Sequence, residues 1–289
     1  MIPAAFDYQR PTNLAEAARL LAAHADDAKI LAGGHSLVPM MKLRLATPTL
    51  LIDIGRLSEL SGIREQNGML IIGAGTTHYA AESSPLLQQR CPLLAETAAA
   101  IGDVQVRNRG TIGGSIAHAD PAADWPAAIL ALGAQLKLIH VGGERLVNAT
   151  DFFVDLLTTA LESREILTEI HVPVNPPRSG GAYLKVPQPA SGFALTGVAA
   201  QVTLGANNTA QNVAVGITGV SNTAYRASAT EVALQGHAAT ADAVAQAAAR
   251  ATDGVEALAD IHASAEYRLH LTRVYTRRAL QRAIERAQA

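Results

Sequence analysis

The chain has 289 residues, 49% of them hydrophobic and 17% charged, with a formal net charge of −2. That length supports two domains or a few closely joined lobes, and the scattered, nearly balanced charge leaves no footprint for nucleic acid. A single cysteine, Cys91, excludes an internal disulfide, a cysteine-held iron–sulfur cluster and a cysteine-type zinc site.

The low charged fraction fits either a surface covered by a partner chain or a composition rich in alanine. Residues Met1–Tyr8 show neither a basic region nor an apolar h-region, and no apolar run approaches membrane-spanning length. A cytoplasmic protein with no membrane span is expected.

Asn13 followed by Glu16 resembles a capping box, and Leu14, Ala17, Ala18 and Leu21 then form one helical stripe. A strand is expected over Lys29–Ala32, ending at the glycine-rich loop Ala32-Gly33-Gly34-His35-Ser36. A helix over Leu37–Leu43 and a strand over Thr49–Ile54 complete a small α/β lobe. A second lobe begins near Leu57. Gly62–Glu65 and Met69–Ile72 flank Asn67-Gly68, a hairpin signal. An alanine-rich helix over Pro92–Ile101 leads to a second glycine-rich loop, Thr111-Ile112-Gly113-Gly114-Ser115. A helix over Pro121–Leu132, a strand over Gln135–His140, a turn at Gly142-Gly143 and a strand over Glu165–Val174 follow.

The segment Asn175-Pro176-Pro177-Arg178-Ser179-Gly180-Gly181 is the clearest break. Beyond it, strands are expected over Ala182–Val186, Phe193–Leu204 and Val213–Val220, then helices over Ala229–Leu234, Ala241–Ala251 and Ala265–Ala287. Three antiparallel strands with helices on one face make a third lobe.

Two glycine-rich loops nearly eighty residues apart each point backbone N–H groups at one place. Only glycine lets the main chain approach a ligand that closely. Such a pair suits two linked phosphates, hence a dinucleotide. Neither loop spells G-x-G-x-x-G, no Gly-Lys pair exists for a P-loop, and H-E-x-x-H is absent. A Rossmann NAD site and a kinase-like site are both disfavoured.

The run Leu31–Lys42 together with Arg107–Asp124 resembles the FAD-binding medium subunit of molybdenum hydroxylases. That is the xanthine dehydrogenase family, with bacterial carbon monoxide dehydrogenase and quinoline oxidoreductase. The likeness extends from Phe6-Asp7-Tyr8-Gln9-Arg10-Pro11 to Ala265-Glu266-Tyr267-Arg268. It implies an α+β fold: a PCMH-type FAD-binding domain over 1–176, in lobes of about 1–56 and 57–176, then a C-terminal flavoprotein domain over 177–289. Ala32, Gly33, Gly34, His35, Ser36 and Leu37 would wrap one side of the FAD pyrophosphate, and Thr111, Gly113, Gly114 and Ser115 the other. The family most often has asparagine at the place of Ser115.

The resemblance further implies that Asp124 contacts the adenosine end, with a helix-terminal charge as the simpler reading. Ile101, Leu167 and Lys185 would lie near the flavin, core packing or a surface ion pair being their plain alternatives. Phe193 would stack on the ring where relatives often carry tyrosine. His35 also resembles histidines that bind FAD covalently, but the rest of the chain matches proteins that hold it without a bond. Arg107 and Arg109 are assigned to a partner surface rather than to the pyrophosphate.

The implied function is electron transfer, with no catalytic acid–base or nucleophilic pair on this chain. Two [2Fe–2S] clusters would lie on a small partner subunit and a molybdenum–pterin centre on a large one, in a dimer of heterotrimers. The alternatives are a self-contained FAD oxidase acting on a small organic substrate, and a scaffold with degenerate loops.

Overall fold

A computed structural model describes residues 1–289. The first sheet is parallel, in the order β1 (Asp7–Gln9), β3 (Leu50–Asp53), β2 (Ala28–Leu31), with α1 (Leu14–Ala23) and α2 (Leu37–Lys42) in the connections. The α1 start is capped as expected: Asn13 Oδ1 accepts from the Glu16 N–H at 2.9 Å. The reciprocal arm differs, since the Glu16 carboxylate accepts from the Thr12 N–H at 2.7 Å rather than from Asn13. Ala17, Leu21, Leu50 and Ile52 bury against Leu57, Leu60 and Ile166 to form the core of this lobe.

The second sheet is antiparallel throughout, with the order β4 (Ile63–Gln66), β5 (Met69–Gly73), β10 (Ile166–Pro173), β6 (Gln135–His140), β7 (Gly143–Asn148). Asn67 and Gly68, both at positive φ, make the tight β4–β5 turn. Between β5 and β6 run α3 (His78–Glu82), α4 (Pro85–Arg90), α5 (Pro92–Ala99), α6 (Val104–Arg109), α7 (Ile112–His118) and α8 (Asp124–Ala131). A short α9 (Ala149–Phe152) and a hairpin of β8 (Phe153–Asp155) and β9 (Thr158–Thr159) separate β7 from β10. The short helices α3, α4 and α6, the strand β7 and this hairpin add to the elements expected from the sequence, and none of them carries a sustained apolar periodicity.

The third sheet has the order β11 (Ser179–Pro187), β12 (Ala194–Leu204), β13 (Ala210–Thr218), β14 (Tyr225–Arg226). It therefore gains a two-residue fourth strand beyond the three expected. Helices α10 (Ser228–Leu234), α11 (Ala241–Ala249) and α12 (Ala265–Gln288) follow, and the inward side of α12 packs on β11 and β12.

Every residue of α8 is buried. A helix this apolar on all sides must be covered all round, and α8 lies between a second core, to which Trp125, Ile72, Leu136 and Ile170 belong, and strands β12 and β13. The same placement drives its N-terminal residue, Asp124, to the wall of a cavity lined by all three groups of elements.

Candidate cofactor-binding site

The cavity measures about 450 Å³, within the range of small-molecule sites. One wall is the turn from β2 into α2. Gly33, Gly34, His35, Ser36 and Leu37 all line it, with Gly34 at φ +78°. The N–H groups of Gly33, Gly34, His35 and Ser36 have no acceptor in the chain, and the Ser36 hydroxyl makes no cap bond. His35 Nδ1–H donates to the Gly33 carbonyl at 3.0 Å, which braces the turn. Ala32, half-buried, precedes this turn and is not part of the cavity lining.

Gly33 is where the two glycine-rich segments touch. A Cβ there would lie 2.3 Å from the Arg109 carbonyl oxygen and 2.9 Å from Gly110 Cα. Its lack of a side chain serves contact between segments as much as contact with a ligand.

The second segment differs from the expected loop. Thr111 caps α7, and Gly113 and Gly114 occupy its first turn. The N–H groups here are already engaged within the chain. Ile112 donates to Thr76 O at 3.0 Å and Gly113 to Ala74 O at 2.8 Å. Gly114 donates to Thr111 Oγ1 at 3.1 Å. The chain leaving β5 runs beside the start of α7 and supplies those acceptors. Gly113 is buried away from the cavity, and its Cβ would fall 2.4 Å from Ala74 Cβ, so packing requires the glycine. What this arm offers the cavity is Thr111, the exposed Gly114, whose lack of a side chain leaves room, and Ser115, whose hydroxyl has no partner.

Asp124 Oδ1 accepts from the Tyr183 hydroxyl, and Oδ2 from Lys185 Nζ at 3.0 Å. Lys185 also donates to Ala100 O at 2.6 Å. The Lys185 and Asp124 side chains are only 6% and 5% exposed, so this is a buried ion pair rather than the surface pair considered from sequence. Burial raises the Asp124 carboxyl against the pull of Lys185 and Tyr183. Burial, then the Asp124 charge, holds the Tyr183 phenol well above its usual range, so it remains a donor. Asp124 lines the cavity, whereas Lys185 stands behind it.

Ile101 and Phe193 are on the cavity wall, the latter 45% exposed. Leu167 is in the second core, off the wall. Arg107 corrects the expectation of a partner surface. Its Nε donates to Glu82 at 2.8 Å and its Nη1 to Ile101 O and Gly102 O, so it clamps the turn that carries Ile101. Arg109 is exposed.

Sequence reading missed His78, the first residue of α3, which is 4% exposed on the cavity wall. Burial first, then the nearby His35 and Arg107, push its imidazole down to about 4 from an ordinary value of 6.5. A folded histidine that binds its proton so late favours the unfolded state in acid. Its contribution is complete above pH 6.5 and erodes between 6.5 and 4, on the order of 3 kcal/mol in all. Thermal melts from pH 7 to pH 4 are expected to show that fall, and a His78→Asn variant to lose this share of it.

Unpaired amides, two free hydroxyls and an otherwise largely apolar wall form the donor set that a diphosphate-linked flavin nucleotide requires. The residues fit such a group. Comparison with known proteins agrees. Residues 4–175 match the family described as "FAD binding domain in molybdopterin dehydrogenase", and residues 181–283 match "CO dehydrogenase flavoprotein C-terminal domain". The chain belongs to the FAD-binding medium subunits of the molybdenum hydroxylases.

Among the members of that family, the carbon monoxide dehydrogenase medium chain of Hydrogenophaga pseudoflava is 43% identical over 283 residues, 98% of each chain. The solved carbon monoxide dehydrogenase from the same organism superposes with a TM-score of 0.96 at 44% identity, covering 99% of both chains. Quinoline 2-oxidoreductase from Pseudomonas putida 86 gives a TM-score of 0.93 at 33% identity over 100% of both. The chain is thus the FAD-carrying medium subunit of a multi-subunit molybdenum-dependent dehydrogenase. No helix is long and apolar enough to cross a membrane.

Proposed function

We propose that this subunit relays electrons from two [2Fe–2S] clusters on a small partner subunit to an external acceptor. A large partner would hold the molybdenum–pterin centre, in a cytoplasmic dimer of heterotrimers. The observation that carries the reading is the row of unpaired N–H groups from Gly33 to Ser36 facing the unpaired Ser115 hydroxyl across one cavity. FAD supplies exchange between single-electron and paired-electron transfer. The chain supplies position and polarity. In this reading Ala32 to Leu37 hold the diphosphate, and Thr111, Gly114 and Ser115 close its other side, with Gly113 seating their helix. Asp124, oriented by Lys185 and Tyr183, receives the adenosine end. Ile101 and Phe193 cover the flavin, and Leu167 supports that wall from the core.

The proposed division of the chain is 1–176, in lobes of about 1–56 and 57–176, and 177–289. Four thiolates hold each cluster of this kind, and the chain has one cysteine. The clusters therefore belong to another chain, and in this reading substrate choice rests with a partner's molybdenum centre, in keeping with relatives named for carbon monoxide and for quinoline.

The purified chain is expected to take up FAD and to release all of it into the supernatant on acid precipitation. It is expected to oxidise no organic substrate until the partner subunits are added. Flavin retained in the precipitate, or substrate turnover by the chain alone, would replace this reading with that of a self-contained oxidase.

A further inference from the structure

Trp125 fixes the chemistry of the one buried histidine on the cavity wall. Its indole Nε1–H donates to His78 Nδ1 at 3.1 Å. An indole nitrogen can only donate, so Nδ1 carries no proton and the neutral ring holds its hydrogen on Nε2. The two rings are 6.1 Å apart and tilted by 36°, a geometry of hydrogen bonding rather than stacking. Thr77 caps α3 and so sets the backbone of His78.

The Nε2 edge lies beside Gly110. A Cβ on that glycine would fall 2.7 Å from Nε2, and Gly110 Cα is itself 2.9 Å from the place of a Gly33 Cβ. His78 therefore reaches the point where the two glycine-rich segments meet. Its Nε2–H has no acceptor in the chain. The atom is not among the sealed polar atoms of the chain, so it opens on the cavity, where an acceptor held there can take its hydrogen bond.

We propose that His78 is a further FAD-binding residue, its Nε2–H donated to a diphosphate oxygen between the two segments and its ring held in that tautomer by Trp125. The inference rests on the reading of the cavity as the FAD site. A histidine kept neutral by its surroundings suits this task, because it donates without bringing a fixed charge into the apolar interior.

The plain alternative is a histidine present only to accept from Trp125. Full-length chain freed of flavin separates the two, with quenching of Trp125, the sole tryptophan, as the binding signal. His78→Asn keeps an oxygen acceptor near the place of Nδ1 and removes the outer donor, whereas His78→Gln extends an amide N–H outward. H78N is expected to bind FAD about tenfold more weakly and riboflavin, which lacks the diphosphate, as the wild type does. H78Q is expected to recover most of the FAD affinity. Equal FAD affinity in H78N and wild type, or a parallel loss for FAD and riboflavin, would overturn the proposal. Failure of the wild-type chain to bind FAD would overturn the cavity reading with it.

The wild-type chain carries an independent measurement should H78N fail to fold. In 15N-histidine NMR, the His78 Nε2–H proton is expected to move downfield and exchange more slowly on adding FAD. An unmoved resonance in a chain that has bound FAD contradicts the assignment.

Discussion

Lys185→Met is expected to destabilise the chain by about 3–5 kcal/mol, because it strands a carboxylate where water cannot reach it. Both members of the pair are nearly inaccessible. In the variant, Asp124 would lose its cationic partner and keep the Tyr183 hydroxyl and a backbone N–H, while Ala100 O would lose its donor. Urea unfolding at pH 7 measures the loss. The double variant Lys185→Met with Asp124→Asn is expected to recover part of it, since the amide is neutral and still accepts from Tyr183. Additive losses would show that the two side chains are not coupled. FAD affinity should fall in both variants, because Lys185 acts on the cavity through Asp124.

Gly33→Val is expected to have the second large effect. The atoms a side chain would strike, Arg109 O and Gly110 Cα, belong to backbone and cannot rotate aside. The segments must therefore separate, at about 1–3 kcal/mol for overpacking, and the amide row moves away from Thr111 and Ser115. The variant is expected to purify without flavin and to need a large excess of FAD to regain it, as read by absorbance at saturation. Gly113→Ala is the informative contrast. Its methyl group strikes Ala74 in the core and not the cavity, so it should lower the melting temperature more than it lowers FAD affinity. Comparable flavin loss in both variants would show that the contact at Gly33 has no special role.

These expectations separate what neighbouring residues specify from what the folded chain brings together. The Asn13 cap, the Asn67-Gly68 hairpin, the strands of the third lobe and the Gly33-Gly34-His35-Ser36 turn could all be read from short stretches of chain. The cap and the turns are set by hydrogen bonds or steric limits acting over a few residues, and the strands show as apolar runs, although their pairing joins residues as far apart as Ser179 and Thr203. The family likeness added Asp124 and Lys185 as site residues, but nothing in either neighbourhood revealed their pairing, which spans 61 positions.

Tertiary structure alone decided the rest. Thr76 O and Ala74 O fill the N–H groups at the start of α7, so the two glycine-rich segments are unequal: one open cradle and one closed helix start. Arg107, assigned from sequence to a partner, closes a turn inside its own chain. His78 and Trp125, 47 positions apart, fix a tautomer across the core. Residue types determined which groups could donate, accept or carry charge. Which of those groups remained without a partner, and so available to a cofactor, depended on where distant segments placed their carbonyls, to within a few tenths of an ångström.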